Sequence, residues 1–326
     1  MPDATPSWKR DLEENGYAVV RGAVPAERAE AYTQRAFDWA KRSHGFDVED
    51  RSTWRTEYLP VNENGLINLY GSSHEKWVWE ARMEERVIEV FEELWGTKEL
   101  LVSFDAINLS VPVGPHARTD IEPAKPWPHI DQQPEPEGRP GLQFELAQGL
   151  LAMTPSGPDD GGLVVLKRSH ALVKQFFDET GGVKEKQDWG HRNYYEFTAA
   201  DLKWFRQQPG VEEIKVETQP GDLILWDSRT IHWNRTPTAE QVRSVVYVCY
   251  APRSMASSEV LETRRRCFEQ RLATTHWPAP FIVVPLEEYG PPKLADGTVD
   301  PRDRARPLEE PVVTERMEQL VGIRPY

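Results

Sequence analysis

The sequence predicts a mainly β protein with flanking helices, its strands closing into a barrel or jelly roll rather than a parallel βαβ sheet. Three observations carry this. After residue 100 the chain breaks into short apolar runs bounded by turn residues, among them LVSFDAINLSVP, LQFELAQGLLAMTP, GLVVLKRSH and RSVVYVCYAP. Only one helical patch, at 198–208, falls between these runs, where a parallel sheet would need a crossover helix for each. Before residue 100, by contrast, apolar residues recur at helical spacing.

Taken in order, SWKRDLEEN (7–15) reads as a short helix stopped by Gly16, and YAVVRGAV (17–24) as a strand and turn. Pro25 opens a second helix, with Ala29, Tyr32, Ala36, Phe37 and Ala40 on one face. Residues 80–95 read as one amphipathic helix carrying Met83, Val87, Val90, Phe91 and Leu94, ended by Gly96. In LVSFDAINLSVP the inward residues are Phe104, Ala106 and Leu109. VETQPGDLILWD reads as two short strands joined through a Pro-Gly turn, and RSVVYVCYAP (243–252) as one final buried strand. A late helix follows at 259–273. Residues 290–312, with five prolines, read as a surface loop or tail. No repeat or linker interrupts the chain. It is therefore one domain over 1–326: a helical part at 1–100, a β core at about 100–252, and a C-terminal helix and tail at 253–326.

Composition narrows the function. The net charge is −14, with 53 acidic against 39 basic residues. The basic run RRR at 264–266 reads as a solvated helix face, so nucleic acid is not an expected partner. No stretch approaches the roughly 20 apolar residues of a membrane span, and MPDATPSWKR lacks a signal-peptide core. The expectation is a cytoplasmic protein without a membrane partner. The two cysteines, Cys249 and Cys267, argue against a disulfide scaffold, and Cys249 reads as a small buried hydrophobe. The 12 tryptophans suit both a core and the walls of a small-molecule pocket.

The chemistry gathers in WPHIDQQP. His129 and Asp131 are separated by Ile130, and on extended backbone both point to one side. His232, in SRTIHWN, can supply a third donor from another strand. Two histidines and a carboxylate are the facial set of non-haem iron(II) oxygenases; zinc and a water would accept the same donors. His44, His74, His170, His191 and His276 read as structural. Arg243 opens an apolar strand, where a buried cation needs an anion. A guanidinium holds a carboxylate through two parallel hydrogen bonds. Trp127, Trp226 and Trp233 flank these motifs and suit either core or pocket wall.

In order along the chain, ENGYAVVRGAVPAERAEAY, WPHIDQQP, DDGGLVVLKRSH and PGDLILWDSRTIHWNRTP with the later Arg243 resemble the motifs of the phytanoyl-CoA dioxygenase family of Fe(II)/2-oxoglutarate oxygenases. The resemblance runs from residue 10 to 252. It implies a double-stranded β-helix core, jelly-roll or cupin-like. It implies Fe(II) held by His129, Asp131 and His232, with 2-oxoglutarate as co-substrate anchored by Arg243, and O₂ as oxidant. Gln148 resembles a polar contact to the co-substrate, with Gln143 as the competing residue, and Arg235 is the alternative anchor. The implied reaction oxidises a C–H bond of a small molecule by hydroxylation, desaturation or cyclisation, a biosynthetic tailoring step that releases succinate and CO₂. Asp131 fills the third ligand position, so halogenation is not implied. The chain departs from the family at Lys167-Arg168-Ser169-His170, where Pro-Gly-Ser-His is usual. With Arg118 these bases could form a basic rim. Two other readings fit parts of the pattern. A zinc-dependent hydrolase leaves Arg243 unexplained, and a non-catalytic jelly-roll binding module does not need all four residues. The charge and the tryptophans favour a compact, uncharged or cationic substrate over an acyl-CoA, and the sequence is compatible with a homo-oligomer.

Overall fold

The computed structural model describes residues 6–134, 141–182, 193–279, 282 and 284–326. His191 lies outside them. Thirteen strands occur among the described residues: β1 Tyr17–Val20, β2 Leu66–Ile67, β3 Leu100–Val102, β4 Ile107–Ser110, β5 His129–Ile130, β6 Ala147–Ala152, β7 Gly162–Lys167, β8 Tyr195–Glu196, β9 Glu212–Lys215, β10 Leu223–Asp227, β11 His232–Arg235, β12 Arg243–Tyr247 and β13 Tyr250–Pro252. A six-stranded sheet runs β1-β10-β6-β12-β4-β2, and a five-stranded sheet runs β8-β5-β11-β7-β9. All their pairings are antiparallel. This is the jelly-roll core that the sequence predicts.

The period of two along each strand sorts side chains into three layers of packing. Between the sheets lie Leu150, Ile224, Trp226, Val245 and Tyr247 from the large sheet, facing Leu163 and Val165 from the small one. The alternate residues of the large sheet, such as Leu151, Leu225 and Val246, pack on Tyr32, Trp39, Val87 and Phe91 of the N-terminal helices. The alternate residues of the small sheet, Ile130, Val164, Leu166 and Trp233, pack on Phe176 and Phe205. Those two belong to helices Val173–Thr180 and Ala199–Arg206. The predicted helical part is thus not wholly helical, because residues 17–20 and 66–67 form the two edges of the large sheet.

Gly161 and Gly162, which open β7, are there for space. A Cβ on Gly161 would lie 2.5 Å from Pro237 Cδ. Gly162 has a φ of +134°, which L side chains rarely adopt, and a Cβ there would lie 3.2 Å from Ser156 Oγ.

Several local readings are corrected by long-range contacts. The single helix at 80–95 is two, Lys76–Arg82 and Glu85–Trp95. Glu84 between them is extended (φ −58°, ψ 125°), and its carboxylate accepts from Arg28 at 2.8 and 2.9 Å and from Tyr32 at 2.7 Å. The run 101–112 divides into β3 and β4, and 243–252 into β12 and β13. The halves leave the large sheet to make a separate two-stranded sheet, β13-β3. Phe104, Ala106 and Leu109 are all buried, but Phe104 and Leu109 face the helices while Ala106 faces the space between the sheets. Before the Pro-Gly turn the strand sits earlier than expected, at β9; Thr218 makes only a bridge to Ser156.

The C-terminal region is also less superficial than its prolines suggest. Asp300 is buried and accepts from Tyr70 OH at 2.9 Å, and the Glu75 carboxylate accepts from Glu309 N–H at 3.1 Å. The triple arginine is not uniformly a solvated face. Arg265 and Arg266 pair at the surface with Glu262 and Glu287. Arg264 is fully buried and donates to the carbonyls of Val102 (2.7 Å), Pro278 (2.9 Å), Leu320 (2.9 Å) and Val321 (2.8 Å). It clamps the late helix, β3 and the C-terminal helix Glu315–Val321 together. Among the described residues no helix is long and apolar enough to cross a membrane. Cys249 is buried, and burial drives its thiol well above the ordinary range.

Arg264→Met strands those carbonyls in an apolar site. It should cost about 3 kcal/mol or more and lower the urea midpoint, whereas Arg265→Met should leave the midpoint near that of the parent protein.

Candidate metal centre and its cavity

β5 and β11 are neighbours in the small sheet, and their register sets His129 directly opposite His232. The two rings lie 4.3 Å apart between centroids. Ile130 points the other way, into the helix-covered core, so Asp131 returns to the side of His129. One donor atom from each of His129, Asp131 and His232 lies within 4.8 Å of the other two. All three residues are buried.

The ring nitrogens are already assigned by their neighbours. His129 Nδ1 lies 2.8 Å from the carbonyl of Trp127, and His232 Nδ1 lies 2.9 Å from that of Thr230. A carbonyl can only accept, so each Nδ1 carries a hydrogen and donates it, and each Nε2 is the atom turned to the cluster. Those Nε2 atoms lie 3.6 Å and 3.2 Å from the Asp131 carboxylate. Burial, with His232 alongside, pushes the His129 imidazole down to about 4, so it is neutral at pH 7. Burial alone would raise the Asp131 carboxyl, but His276, His129 and His232 around it hold it well below the ordinary range. The backbone of Asp131 is fixed by its N–H to Ser228 O at 2.9 Å. In the next residue, Gln132 Nε2 donates to the carbonyl of Gln143 at 3.0 Å.

The sequence reading puts Gln148 on the co-substrate. Its amide donates to Asp131 Oδ2 at 2.5 Å, and the side chain lines the cavity in front of the metal cluster. The competing Gln143 is exposed and donates to Glu145, outside the cavity. Arg243 is buried at the inner end of the barrel, beside Thr154, Ser156 and Thr218. No ion pair to it exists among the described residues. Leu163 borders both this end and the cavity at the metal cluster. Arg235 is exposed.

A cavity of about 440 Å³ opens in front of His129, Asp131 and His232. Trp127 stacks on His129 with centroids 3.9 Å apart and planes 22° apart, and Trp226 approaches His232 at 5.4 Å. Trp233 is core. Neither Lys167, Arg168 nor Arg118 lines the cavity, so the basic rim is absent there among the described residues. Arg118 is turned to Asp120 at 3.0 Å. His276, read as structural from the sequence, lines the cavity and sets Nε2 3.9 Å from Asp131 Oδ1. Only its neighbour in TTHWP, another tryptophan, hinted at a pocket wall. His44, His74 and His170 are buried away from the cavity.

Comparison with known proteins places the chain in a family. "Ava biosynthesis cluster protein O" of Aspergillus versicolor is 39% identical over 278 residues, covering 84% of this chain and 87% of that protein. Among solved structures, the GlcNAc-inducible gene 2 protein of Candida albicans superposes with a TM-score of 0.60 at 14% identity, over 84% of this chain and 69% of the other. The epimerase SnoN, solved with Fe³⁺, α-ketoglutarate and nogalamycin RO, gives 0.51 at 14% identity, over 95% of each chain. These two share the fold. The family model described as phytanoyl-CoA dioxygenase matches residues 12–245. The chain therefore belongs to the phytanoyl-CoA dioxygenase family and is a 2-oxoglutarate-dependent non-haem iron dioxygenase.

Proposed function

We propose that this enzyme oxidises a C–H bond of a small molecule in a biosynthetic tailoring step, using iron(II) held by His129, Asp131 and His232 and releasing succinate and CO₂ from 2-oxoglutarate. The observation that carries it is the donor set. Two imidazoles with their Nδ1–H groups tied to carbonyls and one carboxylate meet within 4.8 Å on one wall of a cavity. That chemistry fits a borderline divalent metal and leaves positions open for other ligands. Bound iron supplies the oxidising chemistry, drawn from O₂ and the oxidative decarboxylation of 2-oxoglutarate.

The protein's share is positioning. Gln148 orients the carboxylate of Asp131, as outer-sphere partners do for metal ligands. Arg243 receives the distal carboxylate of 2-oxoglutarate, which gives its buried charge the anion it lacks. Trp127 and Trp226 keep water from the flanks of the histidines. The relative's place in a biosynthesis cluster supports the tailoring role.

His129→Ala or His232→Ala should abolish succinate formation and weaken the binding of one iron per chain, read by product assay and metal analysis. Full turnover in either variant would remove that histidine from the site. Arg243→Ala truncates one half of a desolvated charge pair worth roughly 2–5 kcal/mol, so the KM for 2-oxoglutarate should rise about 30-fold or more. An unchanged KM would hand the anchor to Arg235. Gln148→Leu should weaken iron binding by about 10- to 100-fold in a chelator competition while leaving the fold intact.

A further inference from the structure

We propose that Asp105 is the anchor for a cationic nitrogen of the substrate, so that the enzyme acts on an amine-bearing, largely apolar or aromatic molecule. The proposal rests on reading the cavity beside the iron site as the substrate site. Asp105 lies where the chain crosses from β3 to β4, and it lines that cavity together with the metal cluster. It is only 8% exposed. One carboxylate oxygen accepts the N–H of Ala106 at 2.6 Å. No hydrogen bond or ion pair to the other oxygen exists among the described residues. The buried guanidinium of Arg82 is near, but it donates to the backbone carbonyl of Asp105 rather than to the carboxylate. Burial raises the Asp105 carboxyl above its ordinary range. A buried carboxylate is costly unless a cation meets it, and here the open approach is from the cavity.

The surroundings suit a cation attached to an apolar body. Trp127, Trp226, Tyr247 and Trp277 line the same cavity. Ring faces hold alkyl chains and aromatic groups and also attract a positive charge. The only lysine or arginine among the described lining residues is Lys125, against Glu63, Asp105, Asp131 and Glu288. The wall that carries Asp105 is rigid. Phe104 N–H donates to Thr274 Oγ1 at 3.0 Å, and Thr274 N–H donates back to Phe104 O at 2.9 Å. This ladder sets Asp105 near His276, whose Nε2 has no hydrogen-bond partner. The wall therefore holds more polar capacity than its own residues use.

The test compares 2-phenylethylamine, protonated at pH 7, with its neutral isostere 2-phenylethanol. Binding to the full chain is read by calorimetry, both metal-free and with iron(II) and 2-oxoglutarate under argon. The amine should bind the parent protein at least about tenfold more tightly than the alcohol, as expected for one charge-assisted hydrogen bond in a desolvated site. Asp105→Asn should bring the ratio close to one, and Asp105→Glu should keep a preference for the amine. Equal binding of the two probes by the parent protein, or no binding of the amine, overturns the proposal without recourse to a variant. So does an Asp105→Asn protein that melts lower but keeps the amine preference; Asp105 would then serve only as a counter-ion for Arg82. The metal-free arm separates this result from the oxygenase reading, because a protein that failed to bind iron or to form succinate could still pass or fail it.

Discussion

The site depends on one cross-strand register, His129 opposite His232. β5 has only two residues, too few for its ladder to fix register alone. The far face of the sheet does it. Ile130, Val164, Leu166 and Trp233 are packed among Phe176, Phe197 and Phe205 beneath two helices. A slip of one residue would drive Ile130 or Trp233 into the cavity and a histidine into that apolar layer. The metal donors are thus aligned by hydrophobic burial on the opposite side of the same strands. Ser228, whose carbonyl takes the Asp131 N–H, adds one further fixed point where the strand ends.

What could be read from the sequence follows from how local each signal is. The His-x-Asp pair is legible because the period of two is a property of three consecutive residues. Arg243 is legible because a charge at the head of an apolar strand is locally anomalous. The Gly-Gly pair was visible as a motif, but its reason, clearance for Pro237 at Gly161 and a positive φ beside Ser156 at Gly162, appears only in the folded chain. Long-range causes were invisible. Nothing near Glu84 announces that Arg28 and Tyr32 will break its helix. Nothing in RRR tells Arg264 from its neighbours, since its four carbonyl partners lie far off in sequence. His276 and Asp105 belong to this class too: each sits in an ordinary local pattern, and only the contact between 104 and 274 brings them to the cavity.

Electrostatics inside the barrel differ from those of the whole chain. Most of the acidic excess lies on the surface, where ion pairs such as Arg42–Glu309 and Lys174–Asp178 are solvated and contribute little. The interior is polarised along its length. At the inner end Arg243 has Lys215 as its neighbour, and burial together with Arg243 and Arg235 lowers the Lys215 ammonium to about 8. Lys215 is held by Ser156 Oγ at 2.7 Å and two backbone carbonyls, so its charge is solvated by dipoles and not by an acid. At the outer end the described charged lining residues are four carboxylates, Glu63, Asp105, Asp131 and Glu288, against Lys125. Such a gradient favours a diacid at depth and disfavours a polyanion at the mouth.

The boundary of the family match sharpens this division. It ends at residue 245, after the iron-site motifs and within β12. The segment 274–277, which supplies Thr274, Thr275, His276 and Trp277 to the cavity, lies beyond it. That segment is held by Arg264 through Pro278 and by the Phe104–Thr274 ladder, and the chain after it is pinned by Asp300 and Glu75. The matched part therefore contains His129, Asp131, His232 and the proposed co-substrate anchor Arg243, and a well-anchored wall beyond it completes the cavity. Differences in such a wall change what is oxidised without disturbing how. A fold shared with an epimerase at 14% identity consequently says little about this enzyme's reaction outcome. In the proposed reaction the outcome depends on which C–H bond the wall turns toward the metal.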